Sequence, residues 1–243
     1  MMRFSSFIAD FKLVFVDSER YMLVLEGLLV TLEITFFAVL IGIGLGTLVA
    51  SIRSTYDKNE EALKKQGGLS FYVLFVANTI CKIYLTVIRG TPTVVQLLIA
   101  YFIIFASSTS DVKVAILAFG INSGAYVAEI IRAGIMSVDN GQFEAGRSLG
   151  FNYVQTMLYI IIPQMVKNVL PALCNEFIVL IKETSIAGYI GIMDLTKAGD
   201  LIRGRTFSAY LPLLGVAFIY LMLVLILTHL VGQLERRLRV NER

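Results

Sequence analysis

Charged residues are scarce in this sequence. Only 16% of the 243 residues are Asp, Glu, Lys or Arg, whereas 57% are hydrophobic. In a typical soluble domain, roughly a quarter of all residues are charged. The low share here excludes a soluble globular fold. The net charge of +3 gives no sign of a nucleic-acid partner, and we expect none.

Histidine and cysteine are also rare. His229 is the only histidine in the sequence, which excludes a His-based metal cluster and a Ser-His triad. Cys81 and Cys174 lie in separate apolar segments without metal-ligand spacing, so we interpret them as packing residues. No Gly-x-x-x-x-Gly-Lys-Ser/Thr phosphate-binding loop occurs. We therefore expect neither ATP hydrolysis by this chain nor a resident metal or cofactor.

What the sequence does contain is long apolar runs. A helix needs about 20 mostly apolar residues to cross the hydrocarbon core of a membrane. Five stretches qualify: residues 27–52, 69–88, 112–131, 153–181 and 209–231. They predict an all-α integral membrane protein. A shorter run, residues 93–105, follows Pro92, and it fits either a continuation of the second span after a bend or a separate short helix.

The N-terminal 26 residues differ from the spans. They carry aromatic and aliphatic residues at helical spacing, namely Phe4, Phe7, Ile8, Phe11 and Phe15. This spacing predicts an amphipathic segment in the membrane interface, although a loosely ordered leader fits equally well. Charged residues interrupt the run, so we do not expect a cleavable signal peptide.

The distribution of positive charge predicts an orientation. Cytoplasmic loops of membrane proteins are enriched in Lys and Arg. The larger share of these residues is cytoplasmic if the polar loops at residues 53–65 and 132–152 and the basic tail at 235–243 lie inside. We therefore expect a transmembrane domain over residues 27–234, in the plasma or inner membrane, with an external N-terminus and a cytoplasmic C-terminus.

The loop at residues 132–152 predicts a short amphipathic helix. Its apolar residues in otherwise polar surroundings are Phe143, Leu149 and Phe151. Asp139 or Asn140 can cap the start of such a helix, and Gly150 can end it. A helix of this kind fits docking into a groove of a partner protein, or an interfacial helix that binds no partner.

The same segment resembles the cytoplasmic loop of ABC importer membrane subunits. Their pattern is Glu-Ala-Ala, three residues, Gly, nine residues, Ile, one residue and Leu-Pro. Here it begins at Glu144 and ends at Pro163, with Gly146 in place of Ala and Ile162 in place of Leu. The resemblance implies that this loop couples to an ATPase through the pattern residues and their neighbours: Gly141, Glu144, Ala145, Gly146, Leu149, Gly150 and Pro163.

Further stretches resemble the branch of this family that imports polar amino acids. They are residues 89–92 with 95–97, residues 124–142, and residues 175–177 with 182–185. The resemblance implies a type I importer fold with a cytoplasmic coupling helix and a second permease subunit, either identical or similar. It also implies a dimer of cytoplasmic ABC ATPase subunits and an extracytoplasmic solute-binding protein that delivers a polar amino acid.

Charges at membrane depth are further candidates for function, since each costs on the order of 3 kcal/mol on insertion scales. They are Glu33, Lys82, Arg89, Glu129, Glu176, Lys182 and Glu183. For Glu33, Lys82 and Lys167 we favour ion pairs or side chains that reach the interface. Glu129 and Arg132 are one helical turn apart, and we expect them to hold each other or neighbouring helices.

The substrate pathway is predicted near the external end of the fourth span. An amino acid needs an acid for its ammonium group and a cation or free N–H groups for its carboxylate. The residues that offer these groups are Asn175, Glu176, Lys182, Glu183, Thr184 and Ser185. In relatives with Asp at the place of Glu183, the acid lies on the substrate pathway. A purely structural gate remains the alternative for this stretch.

Three other functions fit part of the sequence. One is a permease subunit for another small solute, and a second is a membrane-bound structural or sensory subunit. The third is an ion-coupled secondary transporter, but such proteins usually show two related halves, and the sequence shows none.

Overall fold

The computed structural model describes residues 10–66 and 68–240, which form helices joined by short turns. In chain order the helices are α1 (Arg20–Gln66), α2 (Leu69–Gly90), α3 (Thr93–Ile104), α4 (Asp111–Met136), α5 (Asn140–Ser148), α6 (Tyr153–Ile190), α7 (Leu195–Thr206) and α8 (Leu211–Val240). Within the described residues, five helices are long and apolar enough to cross a membrane: α1, α2, α4, α6 and α8. The prediction of five spans in an all-helical protein is confirmed.

Helix α1 continues far beyond the predicted first span. The sequence predicts a polar loop at residues 53–65, and this prediction is wrong, because the helix runs on to Gln66. The segment contains three Lys, two Glu, one Ala and one Leu, which favour helices, and its first helix breaker is Gly67. At 1.5 Å per residue the 47 residues span roughly 70 Å. Since the hydrocarbon core is about 30 Å thick, the last turns of α1 project beyond it.

Helix α4 lies at the centre of the bundle. In its most apolar stretch 67% of the residues are buried, against 11–33% in the other four spans. Two glycines of α1 let α4 approach closely. A Cβ atom at Gly46 would lie 2.6 Å from Val127 Cγ1, and one at Gly42 would lie 2.9 Å from Ser123 Oγ. Gly44 faces open space, so only two of the three clustered glycines of α1 serve this contact.

The second span is broken. α2 ends at Gly90, Thr91 and Pro92 are extended, and α3 then begins as a separate short helix. By contrast, α6 is not interrupted at its two prolines. Pro163 follows a π-helical turn at Met157–Ile161, and Pro171 lies inside the regular segment Ile162–Glu183. A π-helical turn accommodates the missing N–H of a nearby proline, so the helix continues with local distortion.

Both ends of the bundle differ in detail from the sequence-based expectations. Of the predicted N-terminal segment, Phe4, Phe7 and Ile8 lie outside the described residues. Val14 is fully buried and packs in a cluster with residues of α7 and α8, so this part joins the bundle. Helix α7 lies in a stretch for which the sequence predicted no helix. α8 stays helical through most of the predicted tail, as far as Val240.

Candidate functional site

The ends of helix α5 are fixed by local backbone geometry. Asp139 Oδ1 accepts a hydrogen bond from the Gly141 N–H at 2.6 Å, so Asp139 is the residue that caps the helix. Gly150 follows the helix with φ +82°, a conformation that glycine adopts without strain. The Gly150 and Phe151 N–H groups donate to the last free carbonyls, those of Arg147 and Gly146. The predicted start and end of this helix are confirmed.

The two faces of α5 have different surroundings. Phe143 and Gly146 are buried against the bundle. The opposite side is exposed and includes the predicted coupling residues Glu144, Ala145 and Leu149, of which Leu149 is 72% exposed. At the start of α6, the apolar side chains of Val154, Leu158 and Tyr159 are exposed too. The other predicted coupling residues, Gly141, Gly150 and Pro163, are exposed as well.

Gly146 departs from the family pattern for a visible reason. A Cβ atom at this position would lie 2.8 Å from both Cγ2 and Oγ1 of Thr156 and 3.2 Å from Cδ1 of Ile160. Alanine would therefore not fit without a shift of α6, and glycine lets the two helices pack together. Beside Pro163, Gln164 Nε2 also reaches α5 and donates to Gln142 Oε1 at 3.3 Å.

The predicted pathway residues of α6 fall into different environments rather than one pocket. Asn175 and Lys182 are exposed, and Glu183 is half-buried. Glu176 points to α4, where its Oε1 accepts a hydrogen bond from Ser123 Oγ at 3.0 Å. Thr184 is fully buried and donates to the Ile181 carbonyl at 2.8 Å, which is a packing role.

Ser185 borders a separate pocket of about 290 Å³ between the end of α6 and α7. Its lining residues are Ser185, Gly188, Tyr189, Thr196, Lys197, Asp200 and Leu213. The predicted pathway residues, which lie within residues 175–185 of the sequence, are thus turned to different sides of the helix.

A charged cavity of about 520 Å³ lies between α1, α2 and α4. Its wall includes Lys82, Thr86 and Arg89 of α2, which are spaced three and four residues apart and form one stripe. Arg53 of α1 and Glu129 of α4 complete the charged lining. Three cations and one acid therefore line this space.

Glu129 joins two arginines. Its carboxylate lies 3.6 Å from Arg132, which confirms the predicted pair, and 3.5 Å from Arg89 at the end of α2. Arg132 also lies 3.7 Å from Asp57 in the projecting part of α1. The sequence did not single out Asp57, because it was assigned to a loop.

The break between α2 and α3 is closed by Gln96. Its amide Nε2 donates to the Ile88 carbonyl at 2.7 Å and to the Thr91 carbonyl at 3.1 Å. Its Oε1 accepts from Asn122 Nδ2 of α4 at 2.9 Å. The glutamine thus satisfies carbonyls that the proline break leaves free and ties the break to α4.

Known proteins of similar sequence are membrane transport components. A family described as "Binding-protein-dependent transport system inner membrane component" matches residues 71–240. The chain is 36% identical over 222 residues to the arginine transport system permease protein of Bacillus subtilis (strain 168), covering 90% of this chain and 94% of that protein. It is 34% identical over 223 residues to the glutamine transport system permease protein of Escherichia coli (strain K12), with the same coverage.

Solved structures share the arrangement of helices. A crystal structure of an amino acid ABC transporter with histidines matches with a TM-score of 0.78 and 38% identity, over 98% of this chain and 99% of that one. A methionine ABC transporter in an inward-facing conformation matches with a TM-score of 0.75 over 91% of this chain and 99% of that one. At 17% identity, the second match supports the fold alone.

Proposed function

The chain belongs to the family of binding-protein-dependent transport system inner membrane components, and from this membership we propose that it forms half of the translocation pathway of an ATP-driven importer of a polar amino acid. Its fold is that of type I ABC importer permeases. It is a transport component, and ATP hydrolysis lies in a separate subunit of such systems.

The observation that carries this proposal is the presence of exposed polar stripes on membrane-spanning helices. One consists of Lys82, Thr86 and Arg89 on α2. Another runs along α6 at seven-residue spacing through Asn168, Asn175 and Lys182, all of them exposed. Polar and charged groups at membrane depth face protein or water-filled space rather than lipid. A pathway enclosed by two such subunits gives these stripes that environment.

The charges along the pathway fit an amino acid. The cavity with Lys82 and Arg89 offers cations for a carboxylate, whereas α6 offers acids for an ammonium group at Glu176 and Glu183. The relatives are named for glutamine and arginine, which agrees with a polar amino acid. We assign substrate contact to Glu183 with its neighbours: Asn175, Glu176, Lys182, Thr184 and Ser185.

Glu183→Gln tests this assignment, since it keeps the shape of the side chain and removes its charge. A charge-assisted hydrogen bond contributes about 1.5–3 kcal/mol, so the apparent affinity for uptake should fall roughly ten- to a hundredfold. Uptake of each amino acid is measured in proteoliposomes as a function of the concentration of substrate-loaded solute-binding protein. Wild-type uptake kinetics for every amino acid tested would remove Glu183 from the pathway.

The exposed face of α5 fits the cytoplasmic ATPase. Glu144, Ala145 and Leu149 present a mixed polar and apolar surface, and exposed apolar residues of α6 extend it. Such a helix can lie in a groove of a partner protein. A dimer of ATPase subunits would bind two copies of α5, one from each permease subunit, while a solute-binding protein would deliver substrate on the opposite side.

This arrangement sets the orientation of the chain. With α5 cytoplasmic, as the charge bias of the loops favours, the N-terminus would lie outside and the C-terminus inside. A single cysteine at Asn140, in a variant without Cys81 and Cys174, should resist an impermeant thiol reagent added to intact cells. A cysteine at Ser208, between α7 and α8, should react. The reverse pattern would contradict this orientation.

A further inference from the structure

The last turns of α1, which include Asp57 and Lys58 and project beyond the membrane, contact helix α5. Lys58 Nζ donates a hydrogen bond to Asn140 Oδ1 at 2.7 Å, at the first residue of α5. The same ammonium lies 4.4 Å from the centre of the Phe143 ring, within the range of a cation–π interaction. Since Phe143 is buried on the inner face of α5, Lys58 contacts both the start and the packing face of this helix.

Asp57, which precedes Lys58 in α1, is the first residue in a series of ion pairs. Asp57 Oδ2 lies 3.7 Å from Arg132, Arg132 lies 3.6 Å from Glu129, and Glu129 lies 3.5 Å from Arg89. These side chains are 30–44% exposed, and their separations are near the upper limit for ion pairs. Pairs of this kind contribute little to stability on their own, and they can be remade when the helices shift.

The series of ion pairs ends at Arg89, beside the break in the second span. Arg89 is the penultimate residue of α2, and Pro92 follows directly before α3. Gln96 bridges the break through the carbonyls of Ile88 and Thr91. A displacement of Arg89 therefore acts on a segment that lacks regular helical hydrogen bonds, where the backbone can bend at low cost.

We propose that Asp57 and Lys58 are positioning residues that connect α5 to the α2–α3 break, through Arg132, Glu129 and Arg89. This inference rests on the proposed function, because it gives α5 a route to the pathway. Movement of α5 pulls on Lys58, and the adjacent Asp57 passes the shift of α1 to Arg132. The ion pairs then change partners or separation, and the cavity wall at Arg89 moves with them.

Substrate-stimulated ATP hydrolysis of the complete importer tests the connection. Couplings of this type typically change an equilibrium by about two- to thirtyfold, so we expect Lys58→Ala and Asp57→Asn to lower the ratio of stimulated to basal hydrolysis about fivefold. Lys58→Arg keeps the charge and the donor and should restore the ratio. The double variant Asp57→Arg with Arg132→Asp should not restore it, because an acid at position 132 would repel Glu129 and break the next ion pair.

Arg203→Gln is the matched control. Asp200 pairs with Arg203 at the same i, i+3 spacing as Glu129 with Arg132, but on α7, far along the chain from α5. This variant should leave the ratio unchanged. An unchanged ratio in Lys58→Ala would overturn the proposal. So would loss of ATPase co-purification in parallel with the ratio, because the residues would then only support docking.

A second measurement separates this inference from the proposed function. Spin labels at Ala145 on α5 and Val95 on α3, both exposed, report the distance between the two ends of the connection without any ATPase. In a background without Cys81 and Cys174, Lys58→Ala should broaden the distance distribution and Arg203→Gln should not. If even the wild-type importer shows no stimulated hydrolysis, the proposed function fails, while this distance measurement still decides the connection. Equal distributions in wild type and Lys58→Ala would refute it.

Discussion

Asp194 has no exposed surface, yet two backbone N–H groups at the start of α7 donate to its carboxylate. Its Oδ2 accepts from Thr196 at 3.0 Å and its Oδ1 from Lys197 at 3.1 Å. Burial raises the pKa of this carboxyl above its ordinary value of 3.8, and the backbone hydrogen bonds offset part of that shift. The residue therefore combines a favourable helix cap with an unfavourable buried charge.

The opposing effects predict different results for two substitutions. Because the pKa of Asp194 is raised in the folded state, its stabilising contribution to the free energy of unfolding is complete below pH 3.8. That contribution is lost as the pH rises through the folded-state pKa. Asp194→Asn keeps the cap without the charge, so its stability relative to wild type should increase with pH across this window. Asp194→Ala loses the cap and should be destabilised by about 0.5–2 kcal/mol.

Thermal unfolding of the purified protein in detergent, from about pH 4 to pH 8, checks both expectations. If Asp194→Asn were as unstable as Asp194→Ala at neutral pH, the carboxylate would have to contribute through its charge, and burial would not dominate its energetics.

At the scale of single elements, α5 depends on the residue that ends it. Gly150 has φ +82° and open space around its Cα. A β-branched residue in this conformation is strained by about 1–2 kcal/mol, so Gly150→Val should misdirect the exposed face of α5. We expect roughly tenfold weaker co-purification of the ATPase, whereas Gly150→Asn should stay close to wild type because asparagine tolerates this conformation.

Gly204 provides the matched control for this test. It lies in α7 with open space around it and without a positive φ, so Gly204→Val should not change the yield of bound ATPase. Normal co-purification with Gly150→Val would show that the end of α5 does not direct docking.

The predictable elements are those whose signal is local. Apolar length was sufficient for the five spans, and the Asp139 and Gly150 caps were sufficient for α5. The polar end of α1 was misassigned, because helix-forming charged residues outside a membrane have the same hydropathy as a loop. Helix α7 was missed, although Asp194 as a cap and Leu195, Ala198 and Ile202 on one face carry its signal.

The candidate site was less predictable, since its geometry depends on contacts between distant parts of the chain. The pairing of Glu176 with Ser123 and the burial of Thr184 arise from packing of α6 against α4 and α1. The motif at residues 89–97 includes Gln96, but its role in bridging the proline break could be recognised only from the positions of α2 and α3.

At the scale of the whole molecule, the single chain leaves most of its membrane-spanning surface uncovered. Among the five spans of the described residues, α4 is the one that is largely enclosed. In the apolar stretches of the other four, 11–33% of the residues are buried. Apolar side chains on this surface suit lipid, but the stripes with Lys82, Arg89 and Lys182 do not. This exposed polar surface agrees with the proposed assembly around a second permease subunit.

The most direct test is uptake of radiolabelled glutamine and arginine by proteoliposomes that contain this chain with its cognate ATPase. The solute-binding protein and the amino acid are added on one side, and ATP is supplied on the other. We predict uptake of at least one of the two that requires ATP, the ATPase and the solute-binding protein together. Uptake driven by a proton or sodium gradient without ATP would contradict an ATP-driven permease and identify a secondary transporter instead.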